Sequence, residues 1–180
     1  MPKTLFLCSL LLFAVLVAGC ATAPKSDAER QAHNAEVKSA VAMSKEKDPG
    51  LAKWFDEAYG YAVFPTVGKG GMGVGGAYGR GEVFEQGELV GYTSLAQASI
   101  GFQFGGQAYT ELVFFKDKKA LDHFTSGNFE FSAQASAIVV TAGAATDADY
   151  SDGVAVFTMP EGGLMYEASI GGQKFSFDPE

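Results

Sequence analysis

Cys20 is the residue with the plainest chemistry. It ends the run Val17-Ala18-Gly19-Cys20, behind Lys3 and an apolar stretch from Leu5 to Leu16. A charged start, a short apolar run and small residues before the cut make an export signal. A cysteine directly after the small pair is the lipobox pattern, which predicts cleavage before Cys20 and fatty acylation of that thiol, palmitate being the expected class of chain. Five cations suit a second chemistry, the holding of a phosphate. Lys69 lies in Gly68-Lys69-Gly70-Gly71, whose backbone N–H groups can form an anion-binding nest. Arg80 stands on the side-chain-bearing face of the same glycine-rich segment, available for a phosphate or for an ion pair with Glu82. Lys116, Lys118 and Lys119 form the dense basic patch of the C-terminal two thirds.

Other constellations are weaker. Gly68-Lys69-Gly70-Gly71-Met72-Gly73 matches GxGxxG, but an alternating strand pattern follows it where a dinucleotide site needs a helix. Gly68-Lys69 also lacks the upstream glycine of a phosphate loop. Asp147, Asp149 and Asp152 suggest the start of a calcium loop. In that register the sixth position is Asp152, where glycine is needed, and the twelfth is Thr158, where a glutamate is needed. A solvated acidic turn is the better reading. His33 and His123 have no second ligand at metal-binding spacing, and no GxSxG elbow is present. The expectation is a protein that is not an enzyme, with no catalytic residues, metal, nucleotide or other cofactor.

The bulk composition narrows the partners. The chain has 180 residues, 13 basic and 21 acidic, for a net charge of −8. The excess is uneven: residues 60–180 hold six basic and fourteen acidic groups. An acidic body argues against nucleic acid, so contact with an anionic headgroup must come from a local cluster of cations. Cys8 leaves with the signal and Cys20 is used by lipid, so no disulfide is expected and packing alone holds the fold. The length after residue 19 suits one domain.

Certain elements must position these groups. Residues 1–19 read as signal, 20–25 as a lipidated tether and 26–180 as a single domain. Ser26-Asp27-Ala28-Glu29 fits a capping box, predicting a helix to about Lys45. Asp48-Pro49 predicts the cap of a second helix, whose Leu51, Trp54, Phe55 and Ala58 share one face. Trp54 there reads as a packing anchor rather than a membrane-inserting side chain. From Tyr61 the period becomes two. Tyr61–Phe64 is a short strand stopped by Pro65. In Gly71–Glu85, residues 71, 73, 75, 77, 79 and 81 make a nearly bare face that lets another backbone approach. Met72, Val74, Gly76, Tyr78, Arg80 and Glu82 make the other face. Ser99, Gly101, Gln103 and Gly105, opposed by Ile100, Phe102, Phe104 and Gly106, repeat the asymmetry. Further strands are expected at 88–93, 109–116, 128–140, 154–159, 164–170 and 174–177, with one helix at 117–125 capped by Asp117. The fold class is α+β: two N-terminal helices, then a curled, glycine-rich antiparallel sheet or partial barrel with one inserted short helix.

The stretch from Tyr61 to Gly81, Tyr-Ala-Val-Phe-Pro-Thr-Val-Gly-Lys-Gly-Gly-Met-Gly-Val-Gly-Gly-Ala-Tyr-Gly-Arg-Gly, resembles the opening motif of the SYLF domain family. The resemblance continues through Ser99–Gln107, Glu111–Phe115, Lys118-Ala120-Leu121 and Gly163–Gly172, and spans roughly Lys38 to Phe177. It implies a lipid-binding module. Eukaryotic relatives bind phosphoinositides and some bind actin filaments, partners not expected for an exported lipoprotein. What carries over is recognition of a phospholipid headgroup, with Lys69, Arg80, Lys116, Lys118 and Lys119 as the candidates. Members usually carry Gly-Pro after the strand corresponding to Phe129–Ala137. This chain has Ile138-Val139-Val140-Thr141 instead, which leaves the geometry of 138–146 open.

Three readings follow. The first is a membrane-anchored periplasmic module that binds phospholipid. The second is a structural or interaction lipoprotein of the cell envelope. The third is an outer-membrane β-barrel, because alternating aromatic strands can face lipid. Ala21 is not the Asp that retains such proteins in an inner membrane, so attachment to the outer membrane, facing the periplasm, is expected. The oligomeric state is not readable.

Overall fold

The computed structural model describes residues 22–128, 130–132 and 138–180. Cys20, the apolar run 5–16 and the expected cleavage point all lie outside the described residues. The first helix, α1 (Asp27–Lys47), starts as its capping box requires: the Ser26 hydroxyl accepts the Glu29 N–H at 3.3 Å. Asp27 and Glu29 in the first turn, and Lys45 and Lys47 in the last, complement the helix dipole. The segment before it is docked rather than loose. Thr22 is buried, and its hydroxyl hydrogen-bonds the Ser176 hydroxyl at 3.0 Å.

The second helix, α2 (Leu51–Glu57), departs from expectation at its start. Its N-cap is Gly50, with no side-chain capping bond. The Asp48 carboxylate reaches further, accepting N–H bonds from Gly50 at 3.0 Å, Gly143 at 3.2 Å and Ala145 at 2.8 Å. It thereby ties the end of α1 to the 143–145 turn, the region left open by the missing Gly-Pro. Burial alone would raise the Asp48 pKa, but these three donors outweigh it and hold the carboxyl below its usual range. Trp54 is the packing anchor expected of it. Its indole N–H donates to Ala145 O at 2.9 Å, and its ring packs on Phe114, Tyr150 and Phe157.

The expected short strands fuse into long ones. β1 (Gly60–Glu85) and β2 (Glu88–Phe115) form one antiparallel hairpin. Pro65 does not stop β1, because β1 is an edge strand and Pro65 falls in the register shift between Phe64 and Val67. A residue lacking an N–H is tolerated at such a place. After β2 comes α3 (Lys118–His123), capped by the Asp117 carboxylate, which accepts the Ala120 N–H at 2.9 Å. A wider turn, Phe124–Asn128, closes it at Gly127. Then follow β3 (Glu130–Ser132), β4 (Ile138–Val139) and β5 (Val154–Pro179). The expected strand over 128–140 is thus described only as β3 and β4; residues 129 and 133–137 lie outside the described set. Strand order is β1-β2-β5-β3, all antiparallel, and β4 adds a parallel pair to β5.

The sheet is α+β and curled as expected, but open: no pairing among the described residues joins β1 to β3. The curl has a crease. β1 shifts register between Met72 and Val74, and Gly73 there adopts a φ of +74°, a conformation that favours glycine. A Cβ on Gly71 would lie 2.6 Å from the Gly75 Cα, so the strand doubles back on itself. The two limbs of β1 then meet, and a Cβ on Gly81 would strike the Val63 carbonyl and the Phe64 ring. The bare face of Gly71–Glu85 is therefore what lets the sheet close over itself. Inside the curl pack Phe64, Val67, Leu95, Phe115, Phe124 and Phe175. Under α1 and α2, on the other face, pack Val37, Leu51, Val63, Leu112, Phe114 and Phe157. The helices cover only part of that outer face, and the barrel reading fails on both counts, an open sheet and a helix-covered face.

Candidate functional site

The crease end of the sheet is uncovered. Register places Met72 beside Phe104 and Val74 beside Ile100. These four side chains are 77%, 62%, 68% and 73% exposed respectively. Exposed apolar residues scattered singly need no explanation, but four on adjacent positions of two strands form a patch. Back along the same face, Tyr78 pairs with Ala96 and Arg80 with Ser94. Both Tyr78 and Arg80 point outward, while Ala77, Gly79 and Gly81 face in. The alternation predicted from sequence is thus correct on both sides of the strand up to Glu82.

Glu82 breaks the pattern of exposure. It is buried beneath α1 and accepts a hydrogen bond from the Asn34 amide at 3.0 Å, not from Arg80. Burial raises its pKa, opposed by the Asn34 bond and by His33 and Lys38. Glu111 is the second buried carboxyl. It accepts the Gln173 amide N–H at 3.0 Å inside the curl, and its other oxygen has no partner among the described residues. Burial pushes its pKa up to about 7, against the lowering effect of Gln173. Sequence reading missed Glu111, because it gave no sign that this strand is covered on both faces.

The five candidate cations do not form one cluster. Lys69 and Arg80 lie on the two limbs of β1 that flank the crease, about 10 and 20 Å from it by strand rise. Lys116, Lys118 and Lys119 stand at the opposite end, where Gly60 pairs with Phe115. By the same rise Lys69 is about 30 Å away from them. Lys118 is bound to Asp122 at 2.6 Å on its own helix, which raises its pKa. Lys116 instead borders a cleft of about 390 Å³ with Lys53, Trp54, Glu57, Asp149 and Tyr150. That cleft balances two cations with two carboxylates, Lys53 lies 3.8 Å from Glu57, and its aromatic rings are occupied in packing. Asp147, Asp149 and Asp152 are exposed. The GxGxxG stretch 68–73 lies wholly within β1, which runs on to Glu85 instead of opening a helix.

These features define an α+β module whose distinguishing surface is an exposed apolar sheet end flanked by cations. Residues 96–180 match the family described as "Ysc84: Las17-binding protein actin regulator". The chain is also 28% identical over 163 residues to Beta cell expansion factor A of Aeromonas veronii, covering 87% of this chain and 60% of that protein. The chain thus spans about 60% of that relative's length.

The signal for the exposed patch was present in the sequence: Met72, Val74, Ile100 and Phe104 all sit opposite small residues. What the alternation lacks is which stretch of the outer face the helices leave bare.

Proposed function

We propose that this chain is a membrane-anchored lipoprotein whose body binds phospholipid and catalyses no reaction. The observation that carries the reading is the exposed Met72–Val74–Ile100–Phe104 patch, with Lys69 and Arg80 behind it. Apolar side chains suit the acyl region, and a cation near the surface suits an anionic headgroup at about 1 kcal/mol each. The SYLF resemblance supports the same partner, and the lipobox supports an acyl group on Cys20 as the anchor. Lys116, Lys118 and Lys119 stay proposed as a headgroup contact, now separate from the pair near the crease. We propose attachment to the outer membrane on its periplasmic side, for which fractionation with the inner membrane is the contrary result.

The competing reading is an envelope interaction protein without specific lipid recognition. Co-sedimentation separates the two. Residues 21–180, without the acylated cysteine, are expected to pellet with vesicles containing phosphatidylglycerol or cardiolipin at low salt. Protein left in the supernatant with every common phospholipid supports the interaction reading. Mass spectrometry of the protein from membranes is expected to show an acylated Cys20 as the first residue.

A further inference from the structure

We propose that the crease of the sheet is the part of the body that enters the lipid, with the strands of β1 and β2 standing end-on to the membrane. This rests on the phospholipid reading above and assigns its contact surface. Three observations point to a bilayer as the occupant.

The first is an ordered gradient along the hairpin. Met72, Val74, Ile100 and Phe104 occupy the end; Tyr78 follows, and then Arg80. Apolar, then amphipathic aromatic, then cationic is the succession of environments from acyl chain to headgroup. Tyr78 lies about 13 Å behind Val74 by strand rise, and an interfacial element sinks by about 5–10 Å. The apolar end thus enters lipid, while Arg80 stays at headgroup level or above it.

The second is charge. In a chain of net charge −8, residues 66–81 and 94–109 contain Lys69 and Arg80 and no acidic residue. The neighbouring β5 brings two: Glu161, in the bulge between the partners of Ala108 and Tyr109 and hydrogen-bonded to Thr66 at 3.1 Å, and Glu167, in register with Gln103. A second copy of this chain stacked on the patch would therefore find few carboxylates for these cations. An anionic lipid surface supplies them everywhere.

The third is the seat of the segment next to Cys20. Thr22 hydrogen-bonds Ser176, which is bonded to Ser94 at 2.6 Å. Ser94 and Ser176 are in register with each other and with Arg80, so all three occupy the face that carries Ile100. Cys20 is two residues from Thr22, at most about 7 Å away. Ile100 is six residues beyond Ser94, about 20 Å along the strand. The thiol expected to carry lipid is thus joined, within two residues, to the face that holds the apolar end.

Trp54 is the single tryptophan, which makes the test direct. The full chain is expressed with its own leader, purified from membranes and bound to vesicles of phosphatidylethanolamine and phosphatidylglycerol. Two double variants are compared: Trp54→Phe with Ile100→Trp, and Trp54→Phe with Glu88→Trp at the opposite end. Lipids brominated on their acyl chains are expected to quench the reporter at position 100 roughly twofold, the depth of an interfacial insertion, and to leave the one at 88 unchanged. Vesicle-bound protein with an unquenched reporter at 100 overturns the insertion while leaving the anchor intact. Protein that does not join the vesicles at all overturns the phospholipid reading itself, and the insertion with it. A concentration-dependent blue shift at 100 without lipid, and no quenching with it, assigns the patch to a second copy and also overturns the proposal.

Discussion

Glu111 makes folding sensitive to pH in a definite direction. Its carboxyl rises from 4.5 to about 7 because it is buried with one hydrogen-bond donor. Between those values the folded chain holds a proton that the unfolded chain has lost. Stability therefore falls as pH climbs through that window and stays low above it, by up to about 3 kcal/mol from this group. Glu111→Gln is expected to stabilise the protein at pH 8 by about 1–3 kcal/mol and to change little near pH 4, read from urea midpoints. Asp48 acts in the opposite sense. Its lowered pKa contributes stability above the unfolded value of 3.8, which is lost as pH falls through the folded value. Asp48→Ala removes the acceptor of three amides and is expected to cost about 2–4 kcal/mol. Amide exchange at Gly143 and Ala145 should rise in the same variant. The sequence shows Asp48 as a cap because Pro49 follows it. Its longer reach depends on a turn almost a hundred residues away in the chain, which no local pattern encodes.

At the scale of the element, the crease decides the architecture. The glycine face of β1 was legible in the sequence because bare and bulky positions alternate, and so was the consequence, close approach of another backbone. That the other backbone is the same strand was not legible: the reversal depends on the conformation of Gly73 and on the register shift beside it. Likewise Pro65 reads as a strand end, and only its place on an edge strand at a bulge makes it tolerable. Gly81→Val puts a branched side chain into the Val63 carbonyl and the Phe64 ring. It is expected to cost at least about 2–4 kcal/mol, seen as a lowered thermal midpoint. A variant as stable as the parent would mean that the two limbs of β1 do not touch. The helices are simpler, since cap and stripe are local: α1 starts within a residue of its sequence signal.

For the whole molecule, the cations are divided between two ends and the apolar surface belongs to one of them. Lys69 and Arg80 could be grouped from sequence because both lie on one glycine-rich segment. The distance to Lys116, Lys118 and Lys119 could not, because it depends on how long the fused strands run. On the proposed insertion, the four exposed side chains would each contribute on the order of 1.5–3 kcal/mol if fully buried in lipid. An aspartate there reverses that gain without disturbing a packed core, so stability should change by no more than about 0.5 kcal/mol. Lys53→Ala, beside the cleft at the far end and already paired with Glu57, serves as the control. The deciding measurement is the vesicle partition of residues 21–180 carrying Val74→Asp with Ile100→Asp, beside the parent and Lys53→Ala. Partition at least about tenfold weaker for the aspartate variant, a difference of about 1.4 kcal/mol, is the expected result. Equal binding by all three proteins would contradict a body that meets the membrane through its crease.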